Sequence, residues 1–493
     1  MKNCNPTAKE KTFVEIKNAV PRKTELAFNQ PINWKIQAHE HWAVIGANGA
    51  GKTLLADIFM GKHALKTGEI IYQDGNSKAQ NAGDFVKFVA FRDIYSFVDS
   101  QNSYYQQRWN VGLEDEAEVA TIQDFFNKKS DLQWIKELIS VFGIEDLLEK
   151  KIHLLSSGEL RKFLIVNSLS QKPRILIMDN PFIGLDSATR EVLKKVLERL
   201  AQMDNLQIIL LVADTEDIPP VITQVLPVKD KTLLPPLSAA DFKADKEFQK
   251  KLFHSEIQEV IPKRLGYESE TVNFVNALIF NKINIKYGSR FILKNLSWQV
   301  KRGEKWALLG ANGSGKSTLL SLVAGDNPQA YANDITLFDR KRGTGESIWD
   351  IKKHIGYVSP EMHLYYQKNV TCLDVVGSGF FDTVGLYRKC SEEQGEIASE
   401  WMKVFDIERL KNISFLNVST GEQRLILLAR VFVKNPALLI LDEPLHGLDM
   451  GSKQRINKLI KKFCTPDKAL IYVTHYKEEI PDIIDHTLIL EKQ

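Results

Sequence analysis

The sequence predicts an α/β protein made of two tandem copies of one unit, and three observations predict it. Gly46-Ala47-Asn48-Gly49-Ala50-Gly51-Lys52-Thr53 returns as Gly310-Ala311-Asn312-Gly313-Ser314-Gly315-Lys316-Ser317. Each copy follows a strand-like apolar run (Trp42 to Ile45; Trp306 to Leu309) and precedes a helical pattern (Leu54 to Phe59; Thr318 to Val323). Further on, each half has a short apolar run ending in an acid, Arg174 to Asp179 and Leu438 to Asp442, as a buried parallel strand would. Lys52 and Asp179 are 127 positions apart, Lys316 and Asp442 are 126 apart. Unrelated segments would not agree so closely.

Between the copies, Leu234-Pro235-Pro236-Leu237-Ser238 breaks structure and a mixed-charge run follows from Asp241 to Lys251. The expected domains are therefore 1–235 and 273–493, with a connection over 236–272. Composition is that of an ordinary globular chain, 44% hydrophobic and 26% charged, and a net charge of +3 argues neither for nor against nucleic acid. Cys4, Cys372, Cys390 and Cys464 are scattered without a CxxC pair, which speaks against a zinc or disulfide framework. The residues Met1 to Pro6 carry no apolar signal core, and no run reaches the roughly 18–20 apolar residues that cross a bilayer. The expected location is cytoplasmic. Any work at a membrane would need a spanning partner.

The GxxxxGK[ST] pattern wraps backbone amides around phosphates at a helix N-terminus, where the dipole favours an anion. Gly46, Asn48, Gly49 and Gly51, and likewise Gly310, Asn312, Gly313 and Gly315, form the two loops. Lys52 and Lys316 would reach the terminal phosphates, while Thr53 and Ser317 would bind Mg²⁺ together with Asp179 and Asp442. Upstream of each acid by 23 positions stands a helix-capping serine motif: Ser156-Ser157-Gly158-Glu159 and Ser419-Thr420-Gly421-Glu422. Downstream follow Gly184-Leu185-Asp186 and Gly447-Leu448-Asp449.

Taken in order, these four motifs resemble the ATP-binding cassette (ABC) ATPases, twice over and across nearly the whole chain. The resemblance implies a RecA-like α/β core, a small antiparallel β part and a helical subdomain in each half, with ATP and Mg²⁺ as ligands. It also implies head-to-tail pairing, so that Ser156 and Gly158 meet the ATP at Lys316, and Ser419 and Gly421 the ATP at Lys52.

The halves differ where the family does its chemistry. Glu443 follows Asp442 and fits the carboxylate that polarises the attacking water; Asn180, which cannot act as a base, follows Asp179. His475 fits the γ-phosphate contact, and the matching run in the first half reads Leu210-Leu211-Val212-Ala213-Asp214, ending in an acid. Tyr287 fits the residue that stacks on adenine, whereas Val14 to Ala27 holds no aromatic. The first half is thus expected to bind nucleotide and hydrolyse it poorly, with turnover at Glu443. The family's Q-loop glutamine is replaced by proline in Gly356-Tyr357-Val358-Ser359-Pro360, where Glu361 is a candidate substitute; Asp93 stands at the corresponding place in the first half.

Zinc CxxC pairs, a cysteine-rich N-terminus and a long charged interdomain arm are missing, which separates the chain from several non-transport subclasses. Residues 290 to 360, including Gly325 to Asp334, Arg340 to Glu346 and Ile348 to Ser359, resemble the ModF-type tandem ATP-binding proteins associated with molybdate-transport genes. That resemblance implies a separately encoded membrane permease as partner, at the inner face of the membrane. The alternative is a ribosome- or nucleic-acid-acting ABC ATPase.

Overall fold

A computed structural model describes residues 12–74, 77–78, 82–90, 121–127, 131–151, 155, 157–183, 185, 187–203, 205–253, 273–287, 290–311, 313–366, 369–383 and 388–492. They fall into two units, 12–253 and 273–492.

In chain order the first unit contains β1 (Thr12–Pro21), β2 (Ile32–Gln37), β3 (Trp42–Ile45), α1 (Lys52–Phe59), β4 (Leu65–Asp74), β5 (Ser77–Lys78), α2 (Ala82–Phe85), β6 (Val86–Ala90), α3 (Ile122–Asn127), α4 (Leu132–Phe142), α5 (Ser157–Leu169), β7 (Ile175–Asp179), α6 (Ser187–Ala201), β8 (Gln207–Val212), β9 (Gln224–Lys229), β10 (Thr232–Leu233), β11 (Leu237–Ser238), α7 (Ala239–Ala244) and α8 (Lys246–Phe253). An antiparallel sheet runs β2-β1-β4-β5. In β2 the buried residues Ile32, Trp34 and Ile36 alternate with more exposed ones, as expected of a sheet covered on one face. The second sheet has the order β10-β9-β3-β8-β7-β6, parallel from β9 to β6. Its strands β3, β7 and β8 are buried at every position; on one face Trp42, Val44, Ile175, Ile177, Ile209 and Leu211 share a core with α1 and the antiparallel strands β1 and β2.

The second unit contains β12 (Asn276–Tyr287), β13 (Arg290–Lys301), β14 (Lys305–Gly310), α9 (Lys316–Val323), β15 (Asp334–Leu337), β16 (Arg340–Lys341), α10 (Ile348–Lys352), β17 (Ile355–Val358), α11 (Cys372–Gly377), α12 (Glu392–Val404), α13 (Thr420–Phe432), β18 (Leu438–Asp442), α14 (Met450–Phe463), β19 (Ala469–Val473) and β20 (His486–Leu490). Its sheets run β13-β12-β15-β16 and β17-β18-β19-β14-β20, repeating the order of the first unit except for β10 and β11, the short antiparallel strands that extend the first unit's second sheet beyond β9. Even the packing repeats: Trp34 meets Trp42 edge to face at 5.5 Å, and Trp298 meets Trp306 at 5.6 Å. The helical part closes on an aromatic cluster in which Trp401 lies 5.3 Å from Phe432, and Phe432 lies 4.6 Å from Phe463 on α14. This is the α/β architecture the sequence predicts, in duplicate.

The stretch after Pro235 packs on the first unit. There Leu237 pairs with Val225 of β9, Phe242 is fully buried, and Gln249 Nε2 donates to the Phe242 carbonyl at 2.5 Å. The rest of the expected connection, 254–272, lies outside the described residues. Among the described residues no helix is long and apolar enough to cross a membrane.

Candidate active site

Each glycine-rich loop leaves the carboxyl end of a parallel strand, β3 or β14, that has a parallel neighbour on either side. Crevices at this end of a parallel sheet are where such folds bind ligands. Gly51 and Gly315 stand just before α1 and α9 at φ 107° and 97°, a conformation that favours glycine. A Cβ on Gly310 would lie 2.6 Å from both the Leu490 carbonyl oxygen and Ser314 Oγ, so any side chain there would fill the cradle. The ammonium of Lys52 donates to the carbonyls of Gly46 (2.8 Å) and Ala47 (2.9 Å). Lys316 does the same to Gly310 (2.7 Å) and Ala311 (3.0 Å). Both lysines are buried, held across the loops by carbonyls that a phosphate would outbid electrostatically. The buried Ser314 hydroxyl has no hydrogen-bond partner among the described residues, a donor suited to a phosphate oxygen. Asn312 lies outside the described residues, whereas Asn48 and Gly49 sit in the turn of the first loop and Gly313 in that of the second.

The acids expected to bind Mg²⁺ end their strands as predicted. Asp179 Oδ2 accepts from Thr53 Oγ1 at 2.9 Å, bringing together a hydroxyl and a carboxylate of the hard-oxygen kind that Mg²⁺ prefers. Asp442 is similarly buried at the end of β18, and Ser317 stands in the first turn of α9, the helix that follows the second glycine-rich loop (P-loop).

The residue after each acid adopts the same unusual backbone. Asn180 and Glu443 both have φ 48°, and their amides donate to Leu211 and Val473 at 2.9 Å. What they carry differs. Asn180 Nδ2 donates to Asp179 Oδ1 at 2.9 Å. Glu443 Oε1 lies 2.9 Å from His475 Nε2, and Oε2 lies 3.6 Å from His446 Nδ1. Burial pushes the Glu443 carboxyl up, but the hydrogen bond from His475 and the charges of His446, His475 and Arg424 prevail, bringing it down to about 2. The carboxylate is ionised at neutral pH and adjoins the P-loop strand's neighbour.

Sheet register corrects one expectation. Asp179 pairs with Leu211 and Asp442 with Val473, so the position equivalent to His475 is Ala213 rather than Asp214. Asp214 instead caps the short helix Thr215–Asp217 by accepting from the Glu216 amide, just as Tyr476 precedes Lys477–Glu479. The first unit thus lacks the imidazole without presenting a carboxylate in its place. A link behind this turn is kept in both halves: Arg190 to Asp217 at 2.7 Å and Lys453 to Glu479 at 3.1 Å.

Tyr287 ends β12 half-buried, its hydroxyl accepting from Asn327 Nδ2 at 3.1 Å. Lys23 stands 264 positions earlier, the same offset that separates the two P-loop lysines. Phe28, one residue past the aromatic-free stretch, packs under Gly51 where Ile292 packs under Gly315, so it is a core residue. Ser419 caps α13 in a capping box with Glu422, which also pairs with Arg409 at 2.6 Å; Gly421 lies in the first turn. In the first unit Gly158 lies in α5 and Glu159 pairs with Lys150 at 2.8 Å, while Ser156 lies outside the described residues. Asp93, Gly184 and Asp186 also lie outside them. Pro360 opens a short helix, Pro360–Tyr365, and the preceding Ser359 lines a cavity of about 130 Å³ with Tyr357, Lys352, Asp326 and Arg430.

Arg424 was not singled out from sequence. It is buried, and its guanidinium donates to the carbonyls of Ser359, Asp442 and Glu443, each at 2.6 Å. Burial lowers it only to about 10, so it stays charged at neutral pH. The repeat offered a signal, since Arg161 stands equally far beyond Ser156. Arg161 holds the first loop through the carbonyls of Pro181 (2.9 Å) and Ile183.

These differences predict that restoring one residue does not restore chemistry. Asn180→Glu would put a carboxylate beside Asp179, losing the 2.9 Å amide bond and finding Ala213 where His475 should be. In a Glu443→Gln background, adding Asn180→Glu is expected to leave steady-state phosphate release unchanged within about twofold.

The ABC transporter family matches residues 29–183 and 293–446. The chain is 36% identical to the ABC transporter ATP-binding protein ModF of Escherichia coli (strain K12), across 92% of this chain and 91% of that protein. It is 28% identical to an uncharacterized ABC transporter ATP-binding protein of Schizosaccharomyces pombe, across 96% and 97%. Among solved structures, an RNase-L inhibitor shares the fold with a TM-score of 0.54 at 17% identity, covering 96% of this chain and 87% of that one. The family's domains bind ATP and its members are ATPases. The chain belongs to the ABC transporter ATP-binding family, as a tandem, ModF-like ATPase with two ABC domains.

Proposed function

We propose that the protein hydrolyses ATP at a single site, in the second cassette, while the first binds nucleotide and holds it. The observation that carries this reading is the Glu443–His475 pair at 2.9 Å, set against Asn180 and Ala213 on matching backbone. In the second site Gly310 to Gly315 and Lys316 bind the phosphates, and Tyr287 takes the adenine. Ser317 and Asp442 would hold Mg²⁺, which supplies neutralising charge to the phosphates when bound. Glu443 accepts a proton from the attacking water and His475 contacts the γ-phosphate. In the first site Gly46 to Gly51, Lys52, Thr53 and Asp179 bind nucleotide and metal. Head-to-tail pairing, the family's arrangement, would bring Ser156 and Gly158 to the second site's nucleotide, and Ser419 and Gly421 to the first's.

The test is retention. After incubation with Mg²⁺ and radiolabelled ATP and then rapid desalting, about one unhydrolysed ATP per chain is expected to persist, while Lys52→Ala abolishes it. Equal conversion of all bound nucleotide to ADP would refute unequal sites.

The likeness to ModF supports a role as the ATPase component of an importer, working in the cytoplasm against a separately encoded permease. Recovery with membranes only when that permease is co-expressed would support this role. Salt-resistant recovery with ribosomes or nucleic acid would overturn it.

A further inference from the structure

We propose that His446 is a positioning residue that takes over the Glu443 carboxylate when His475 leaves it for the nucleotide. The proposal rests on Glu443 being the base. In the structure His475 Nε2 is committed to Glu443 Oε1 at 2.9 Å. An imidazole nitrogen carries one hydrogen, so the same Nε2 cannot donate linearly to Glu443 and to a γ-phosphate oxygen together. Engagement of ATP by His475 therefore strips the carboxylate of its hydrogen bond.

A largely buried carboxylate left without a donor is costly and free to rotate away from the water it must orient. Arg424 makes no hydrogen bond to this carboxylate: its Nη1 and Nη2 groups serve the backbone carbonyls of Ser359, Asp442 and Glu443, and its buried Nε has no partner among the described residues. His446 is placed to act. Its Nδ1 is 3.6 Å from Glu443 Oε2, the oxygen His475 does not hold, and the two side chains are similarly shielded at 21% and 20% exposure. A closing movement of under about 1 Å makes that approach a hydrogen bond, and catalytic hydrogen bonds are commonly long before the substrate arrives. The backbone fixes where the residue stands, because the His446 amide donates to the Glu443 carbonyl at 3.1 Å in the tight turn after β18.

The first cassette supplies an internal comparison. Its equivalent turn has the same bond, from the Ile183 amide to the Asn180 carbonyl at 3.2 Å, so Ile183 occupies the place of His446. The imidazole is present where the carboxylate is present, and an aliphatic side chain stands where the carboxylate has become an amide. Folding of the turn does not require histidine; the carboxylate does.

The test uses the full chain with three substitutions. His446→Ile imports the side chain of the other cassette, His446→Asn keeps an N–H donor near the Nδ1 position, and Glu443→Gln reports on the base. His446→Ile is expected to lower kcat by about 10- to 100-fold with KM for ATP within threefold, while His446→Asn recovers kcat to within about fivefold of the native protein. Thermal melting checks the fold of each variant. A kcat for His446→Ile within twofold of native overturns the proposal, as does an equal loss in the Ile and Asn variants. If His446→Ile fails to fold, native-like kcat and KM in His446→Gly, rescued by nothing, overturn it, and imidazole rescue of that variant supports it. If Glu443→Gln itself turns over normally, the reading of Glu443 as the base is what fails.

Discussion

Glu443→Gln is expected to reduce ATP turnover by roughly 10²- to 10³-fold while leaving ATP binding intact. The substitution is nearly isosteric and the amide can still accept from His475 at the 2.9 Å separation seen for the carboxylate. What disappears is the capacity to accept a proton. The backbone at 443 should not move, since its φ of 48° is already accommodated by asparagine at position 180. Release of phosphate in the steady state and equilibrium binding of a fluorescent ATP analogue separate the two effects. A matched Asn180→Gln should change turnover by less than about twofold, because position 180 carries no base to lose. Equal losses from the two substitutions would contradict a single hydrolytic site.

The second large effect is expected at Arg424. Replacing it with Met leaves the buried carbonyls of Ser359, Asp442 and Glu443 without their 2.6 Å donor. Leaving a buried acceptor without its donor typically costs about 1–3 kcal/mol. The loss should appear as a lower urea midpoint for the second cassette's transition, and turnover should fall with it because both Asp442 and Glu443 lose their anchor. Arg424→Lys is expected to rescue little, since a single ammonium cannot reproduce a planar fork spanning Ser359 on one side and the strand end on the other. A Met variant with native stability and native turnover would show that the clamp is dispensable.

Much of the fold was legible because the decisive signals are local. A glycine-rich loop between a strand and a helix, a capping serine and an acid at a strand end are each written within a few residues, and the repeat multiplies their weight. The strands β3, β7 and β18 announced themselves as continuous apolar runs because both faces are covered. What sequence could not deliver was register. Whether Ala213 or Asp214 faces the site depends on hydrogen bonding between β7 and β8, distant in sequence, and a shift by one residue moves every side chain to the other face. Arg424 escaped notice for a similar reason: its partners are carbonyls from two other segments, so the repeated arginine at position 161 marks the position without revealing what it holds. The role of residues 237–253 was masked by composition, since a Pro-rich break and a charged run read as a connection while Phe242 carries the packing.

The turn after the acid and the linked loop behind it are the same in both cassettes down to the Arg190–Asp217 and Lys453–Glu479 pairs. For protein engineering this makes the first cassette a control built into the molecule. Positions 180, 183 and 213 can be compared with 443, 446 and 475 one side chain at a time, with a single residue of length difference between the second and third positions and the same order of parallel strands around them. Each effect measured in one half can be read against an untouched copy folded from the same chain, in the same tube and at the same concentration.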